Sequence, residues 1–518
     1  MKKSFVKSAT VMMVATLLAK IIGACYRIPL TNALGAEGMG LYQLIFPVYA
    51  LILTTSSGAL PLAISVLVSE NIAKGNLNEN RRLIKASLYA LLTIGLLLSV
   101  ALVLLSGVIG SLQGVQNAKL GYIAIAPSIL FVSGIAVFKG WFQGNHLMFP
   151  SALSALIEAI VKLVVGLMLA YLLSRYGVVI QVAGALLGVS VSEVVTFVVL
   201  FIIYKKRNGS KKLSLDFKGA RESYREIIKI SLPITIGSMI FPLTQFIDSF
   251  MVVNILKASL SSSVATANYG VFSGPVSTLI NLPVSLSLAI GIAVVPHLSK
   301  NREERNLEAI RLKTSTAIKV AVLIGVPFAI LFMVAPTEIL SFLYGGLSSA
   351  ELKTGAELLT ISAPTVLLLS LTQICTSVLQ GLKDTRSPII NLAIGGVTKI
   401  ILSLILLYTI GIKGVAYAGL IAFSVTTILN ISSTFRLMGK NGDIIKNSGV
   451  IILFGGIMGI SLSLAVAYSL SIIWILVIAV VSGVAYLLAV VVSKAFTNDE
   501  ILSLPFGHKI LKLKGKTE

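Results

Sequence analysis

The chain has 518 residues, 56% hydrophobic and 12% charged, with a mean hydropathy of +0.96. A soluble globule carries roughly twice that charge, about 25%, so a water-soluble fold is excluded. The formal net charge of +22 would suit nucleic acid, but its distribution along the chain points to a membrane surface instead.

Lys2, Lys3 and Lys7 precede an apolar run from Val11 that is longer than a signal-peptide core and has no A-x-A exit. It reads as an uncleaved first helix. Polar breaks then divide the chain into about 14 spans, each long enough for a ~30 Å hydrocarbon core. Their expected positions are 5–30, 41–68, 83–108, 121–138, 150–174, 181–204, 227–253, 264–295, 310–335, 355–380, 388–409, 414–435, 447–469 and 472–493. If the N-terminus starts inside and the spans alternate, the outer connections hold only Lys119, Arg175, Lys257, Lys353 and Lys413. Every other Lys or Arg outside the spans falls on the inner side. This positive-inside bias predicts a multi-pass membrane protein with both termini cytoplasmic.

The polar stretch Lys205 to Lys229 separates two halves that resemble one another. FQGNHLMFPSALSALIEAIVKLVVG in the first has a counterpart in LQGLKDTRSPIINLAIGGVTKIILS in the second, which aligns Pro150 with Pro388 and Lys162 with Lys399. Each half holds an even number of spans, so the repeats are parallel and a substrate belongs between them near mid-bilayer. The expected organisation is a six-helix lobe over 1–204, a cytoplasmic linker over 205–226 and a second six-helix lobe over 227–437. Two additional helices over 438–495 and a basic cytoplasmic tail over 496–518 complete it. From Asn447 through Ser493 no charge occurs, so the two extra helices face lipid or cover a lipid-facing groove.

Catalytic signatures are missing from the sequence. The only G-K-T, at Gly515 to Thr517, lacks the upstream glycine of a P-loop, and neither G-x-S-x-G nor H-E-x-x-H occurs. His146, His297 and His508 sit at turns or in the tail without metal-ligand spacing. No enzyme activity, cofactor or metal is expected. The driving force is then an ion gradient, the membrane potential or consumption of the product.

Chemistry concentrates in ionisable residues inside the spans, each costing roughly 2.5–3.5 kcal/mol at mid-bilayer. Lys20 and Arg27 are seven residues apart on the first helix, within ~20° of one face, a positive stripe suited to an anionic cargo. Snorkelling to the interface is the bland alternative for both. Glu158 and Lys162 form an i,i+4 pair on the fifth helix, where mutual neutralisation competes with a binding role. Lys399 occupies the equivalent place in the second half, with Gly395 four residues before it. Asp248 and Glu193 are candidates for a coupling ion, proton or sodium, or for charge partners of the lysines.

At these motifs the chain resembles the MOP superfamily of transporters, and within it the polysaccharide-transport and MurJ-like flippases. KIIGACYRIPLTNALGAEGMGLYQLIFPVY resembles the opening of the stage V sporulation B-like branch, and FQGNHLMFPSALSALIEAIVKLVVG resembles that branch's Y-F-Q-G stretch. Pro233 to Asp248 resembles the seventh helix of the superfamily. Lys20 stands where that branch usually has arginine, which keeps the charge but loses the bidentate fork. The resemblance implies an all-α polytopic fold of about 14 helices, with two parallel six-helix repeats in a V, a cationic central cavity and two C-terminal helices. It further implies a flippase for an undecaprenyl-pyrophosphate-linked cell-wall precursor, foremost lipid II, with Lys20, Arg27, Lys162 and Lys399 binding it. Asp248, Glu158 and Glu193 are then ion-coupling or charge partners. Expected partners are the lipid-linked saccharide, the bilayer, a coupling ion and cell-wall synthesis proteins, with a role in growth or sporulation. Competing readings are a teichoic-acid or capsular repeat-unit flippase, a MATE-type multidrug or cation antiporter, and a scaffold without transport.

Overall fold

The computed structural model describes residues 2–208, 220–439, 442–493, 495–502 and 511. Much of the expected linker and most of the basic tail lie outside them. Among the described residues there is no strand. Apolar chain in lipid has no water to satisfy its backbone, and helices satisfy it within one segment.

The first half builds α1 (Lys2–Ser57), α2 (Leu60–Ala73), α3 (Leu77–Leu112), α4 (Lys119–Gly144), α5 (Met148–Leu172), α6 (Val178–Asn208), α7 (Ala220–Leu256) and α8 (Ser262–Val271). Then follow α9 (Ser277–Glu303), α10 (Leu307–Val334), α11 (Pro336–Leu343), α12 (Ser349–Ser362), α13 (Thr365–Gly381), α14 (Arg386–Ile410) and α15 (Lys413–Met438). The last helices are α16 (Gly442–Ala467), α17 (Ile472–Val492) and the short α18 (Asn498–Leu502).

Twelve of these stretches are long and apolar enough to cross a membrane, and α12 with α13, bent by 47°, makes a thirteenth. The fourteenth is hidden in the first stretch, Val14–Ala73, whose 60 residues exceed any single crossing. Its continuity breaks at Gly35, with φ 65° and ψ −176°, a backbone that residues with a Cβ rarely adopt. The chain reverses there. Gly38 meets Val178 and Val182 at the start of α6, whereas Gly140 and Gly144 at the far end of α4 rest on Ile64 and Val68. Divided at Gly35, the described residues come to about the fourteen spans expected from hydropathy.

Two compact units form, residues 1–274 and 275–518. α7 and α8 belong to the first, and the chain passes to the second inside a π-helical turn, Phe272–Val276, that contains Pro275. The first unit has a core of Ile64, Val68, Phe138, Trp141 and Phe142. A corresponding core in the second contains Leu298, Ile318, Ile374 and Val378.

The internal repeat is visible in hydrogen bonds. Ser69 Oγ donates to the Gly144 carbonyl at 2.9 Å, and Ser299 Oγ donates to that of Gly381 at 3.0 Å. Both receiving helices end in the same left-handed cap, at His146 (φ 59°) and Lys383 (φ 60°). The amides of Leu147 and Asp384 close each cap on Phe142 and Leu379, both at 2.8 Å. The two Q-G turns aligned in the sequence are therefore one structural motif used twice. α16 and α17 expose Leu453, Ile457, Ile460, Trp474, Val480 and Val481, an apolar surface that only lipid solvates.

Candidate functional site

The charged residues of the first unit meet where α1, α4, α5 and α6 pack together. Tyr26 on α1 is buried, and its ring fits because α5 has Gly166 at that level, where a Cβ would lie 2.6 Å from the Tyr26 hydroxyl. Gly188 on α6 in turn lies against the Gly166 backbone, so three helices approach through two glycines. After the reversal at Gly35, the chain brings Tyr42 beside Tyr26. Arg27 from α1 and Lys162 from α5 both act on the Tyr42 hydroxyl. Lys162 lies one turn before Gly166 on α5 and Arg27 directly after Tyr26 on α1, so the Tyr26–Gly166 contact brings two cations far apart in sequence to one helix crossing inside the spans.

Seven residues further on, Tyr49 lies on the same helical face as Tyr42. The rings of Tyr42, Phe46 and Tyr49 follow one another at 5.9 Å and 5.7 Å. Tyr49 is buried and faces Glu193, Ser128 and Glu158. Glu193 on α6 is 5% exposed, and its neighbours are Glu158, Lys139 and Lys162. Two carboxyl groups and two ammonium groups therefore share this region.

The ion pair differs from the one the helical spacing favours. Glu158 Oε2 meets Lys139 Nζ of α4 at 4.0 Å. An i,i+4 neighbour is available in Lys162, but α4 brings a second ammonium to the carboxylate. Sequence reading assigned Lys139 to a cytoplasmic turn. It stands one helical turn inside the end of α4 at Gly144, and no sequence signal connects it to Glu158.

The other candidates fall elsewhere. Lys20 is exposed on α1, seven residues before Arg27. Asp248 is buried on α7 beside Tyr269. Next to it Ser249 joins a different polar knot. There the fully buried Gln113 donates to the Leu44 carbonyl at 2.9 Å and to Ser249 Oγ at 3.1 Å, and accepts from Tyr122 Oη at 2.6 Å. Lys399 lies on α14, partly buried, in the second unit. That unit also holds a buried pair absent from the sequence reading, Lys319 of α10 with Glu500 of α18, at 2.8 Å with exposures of 1% and 3%.

Among the described residues, a helical chain with up to thirteen apolar helices long enough to span a membrane, a twice-used Q-G turn and charges gathered inside the spans is that of a multi-pass membrane transporter. The chain belongs to the polysaccharide biosynthesis protein family, whose model matches residues 5–302, and the MatE model matches residues 233–405. It is 24% identical over 525 residues to stage V sporulation protein B of Bacillus subtilis (strain 168), covering 98% of this chain and 99% of that one. With the lipid II flippase MurJ of the same organism it shares 24% identity over 483 residues, covering 90% and 89%. Among solved structures, lipid II flippase MurJ in an inward closed conformation superposes with a TM-score of 0.74 at 18% identity, over 92% of this chain and 98% of that one. That likeness shows the fold.

Proposed function

We propose that the protein flips an undecaprenyl-pyrophosphate-linked cell-wall precursor, foremost lipid II, from the inner to the outer leaflet by alternating access. The observation behind this reading is the packing of Tyr26 on Gly166, which sets Arg27 of α1 and Lys162 of α5 at one helix crossing inside the membrane spans. A pyrophosphate crossing a low-dielectric layer loses its hydration, and fixed cations offset that loss. Lys20 extends the stripe along α1, and Lys399 supplies the repeat-equivalent cation of the second half. Asp248, Glu158 and Glu193 serve as ion-coupling groups or charge partners. The domain reading is two six-helix lobes at 1–204 and 227–437, joined by the 205–226 linker and followed by the two helices and basic tail, with both termini cytoplasmic. α16 and α17 offer the uncharged surface that a polyprenyl tail requires. The names of the two Bacillus relatives support a cargo of this class and a role in wall growth or sporulation.

The deciding experiment is rescue of cells depleted of their lipid II flippase. The wild-type chain is expected to restore growth, and R27A and K162A to lose most of that rescue while inserting at normal levels. Failure of the wild-type chain, when correctly inserted, removes lipid II as cargo. A teichoic-acid or capsular repeat unit is the closest alternative. The MatE match over 233–405 favours a second reading, a drug or cation antiporter. Under that reading, cation neutralisation leaves transport intact.

A further inference from the structure

We infer that Lys139 is a positioning residue that keeps Lys162 available to an anionic cargo by holding Glu158 away from it. The inference rests on the cationic-site reading above.

Glu158 stands one helical turn before Lys162 on α5, the spacing at which acid and base pair most readily on a helix surface. Such a pair would cancel the α5 cation within its own helix. The structure resolves the competition otherwise. The Glu158 carboxylate is met by Lys139 Nζ at 4.0 Å, with both side chains partly buried at 24% and 30% exposure. Lys162 lies one turn before Gly166, where α5 packs on Tyr26 of α1, the residue before Arg27. The charged and titratable groups facing Glu158 from the packed helices are Lys139 of α4, Glu193 of α6 and Tyr49 of the segment after Gly35. Glu193, buried on α6, faces the same carboxyl group. With Lys139 neutralised, Lys162 is the ammonium left one turn from the Glu158 carboxylate on α5. It is then drawn back towards Glu158 and its attraction for a phosphate falls. Lys139 itself need not touch the cargo.

The test measures binding of undecaprenyl pyrophosphate to the purified full chain in detergent, with thermal melting as the check on folding. K139Q is expected to weaken binding about tenfold, the order expected for losing one partly buried charge. K139R is expected to bind as the wild type does. The discriminating variant is K139Q/E158Q, which removes the competing acid and restores binding to at least the wild-type level. A purely structural role for Lys139 does not produce that rescue, and the double variant leaves no orphaned charge if K139Q alone is unstable. Wild-type affinity in folded K139Q, or a folded double variant that binds as weakly as K139Q, overturns the inference. K162Q separates the two levels of argument. If it binds normally, the cationic-site reading falls and this inference with it. If it loses binding while K139Q does not, only the positioning role is lost.

Discussion

At the scale of single residues, the Lys319–Glu500 pair shows how a buried charge is satisfied by its partners. Glu500 accepts from Lys319 Nζ at 2.8 Å and 2.9 Å, from Ser315 Oγ at 2.6 Å and from the Thr497 amide at 2.8 Å. The ammonium also lies 5.8 Å from the Phe496 ring centroid. Removing one partner of such a pair strands the other, at about 3–5 kcal/mol, whereas replacing both by apolar groups is often neutral. K319M and E500L are therefore each expected to lower the melting temperature of the detergent-solubilised protein substantially, and K319M/E500L to recover most of the loss. Strict additivity in that double-mutant cycle argues against the pair acting as a unit. The candidate site was legible at this scale only in part. Arg27, Glu158, Lys162 and Glu193 stand out as charges in apolar runs, whereas Lys139 and Glu500 lie just outside the expected spans and Lys319 follows Arg311 and Lys313 in a basic stretch.

At the scale of elements, glycines decide how closely helices approach. A Cβ on Gly40 would strike the Thr266 backbone of α8, and one on Gly270 would strike the Ala36 carbonyl and the Gly40 amide. Backbone lies against backbone, so no side chain can yield. Just beyond, Gln43 donates through Nε2 to the Ser273 carbonyl at the π-helical turn, where the regular ladder is disturbed. G270V is expected to destabilise by about 1–3 kcal/mol or to prevent accumulation of folded protein, as overpacking does. G456A, which meets nothing within 4 Å, is expected to be neutral. Melting and monodispersity of the two variants check this, and equal behaviour removes the close contact from the account. The reversal at Gly35 belongs to the same scale. Hydropathy predicts two spans there, but the turn is a single glycine inside otherwise continuous helix, so no polar loop announces it.

At the scale of the whole molecule, the duplication and the charge bias together predict a topology. If both termini are cytoplasmic, a reporter fused after Glu518 reads as cytoplasmic. A cysteine replacing Gly345, between α11 and α12, labels from outside intact cells, and one placed within 205–229 does not. External labelling of the 205–229 stretch reverses the orientation and with it the side from which cargo is loaded. The repeat was legible in sequence because the Q-G turn, the proline after it and the following lysine are local features that recur in order. Its structural form, paired serine-to-carbonyl bonds and matching left-handed caps, confirms that these turns are equivalent.

Sequence alone determined the properties that sum along the chain: the lipid environment, the fourteen crossings, the duplication and the presence of charges needing a reason. Hydropathy and helix period are local, so no knowledge of packing is needed to read them. Tertiary structure decided which charges meet. Lys319 and Glu500 lie 181 positions apart, and Glu158 chose Lys139 on another helix over its neighbour one turn away. Ion-pair strength depends on separation and local dielectric, and both are set by how helices pack rather than by spacing along the chain.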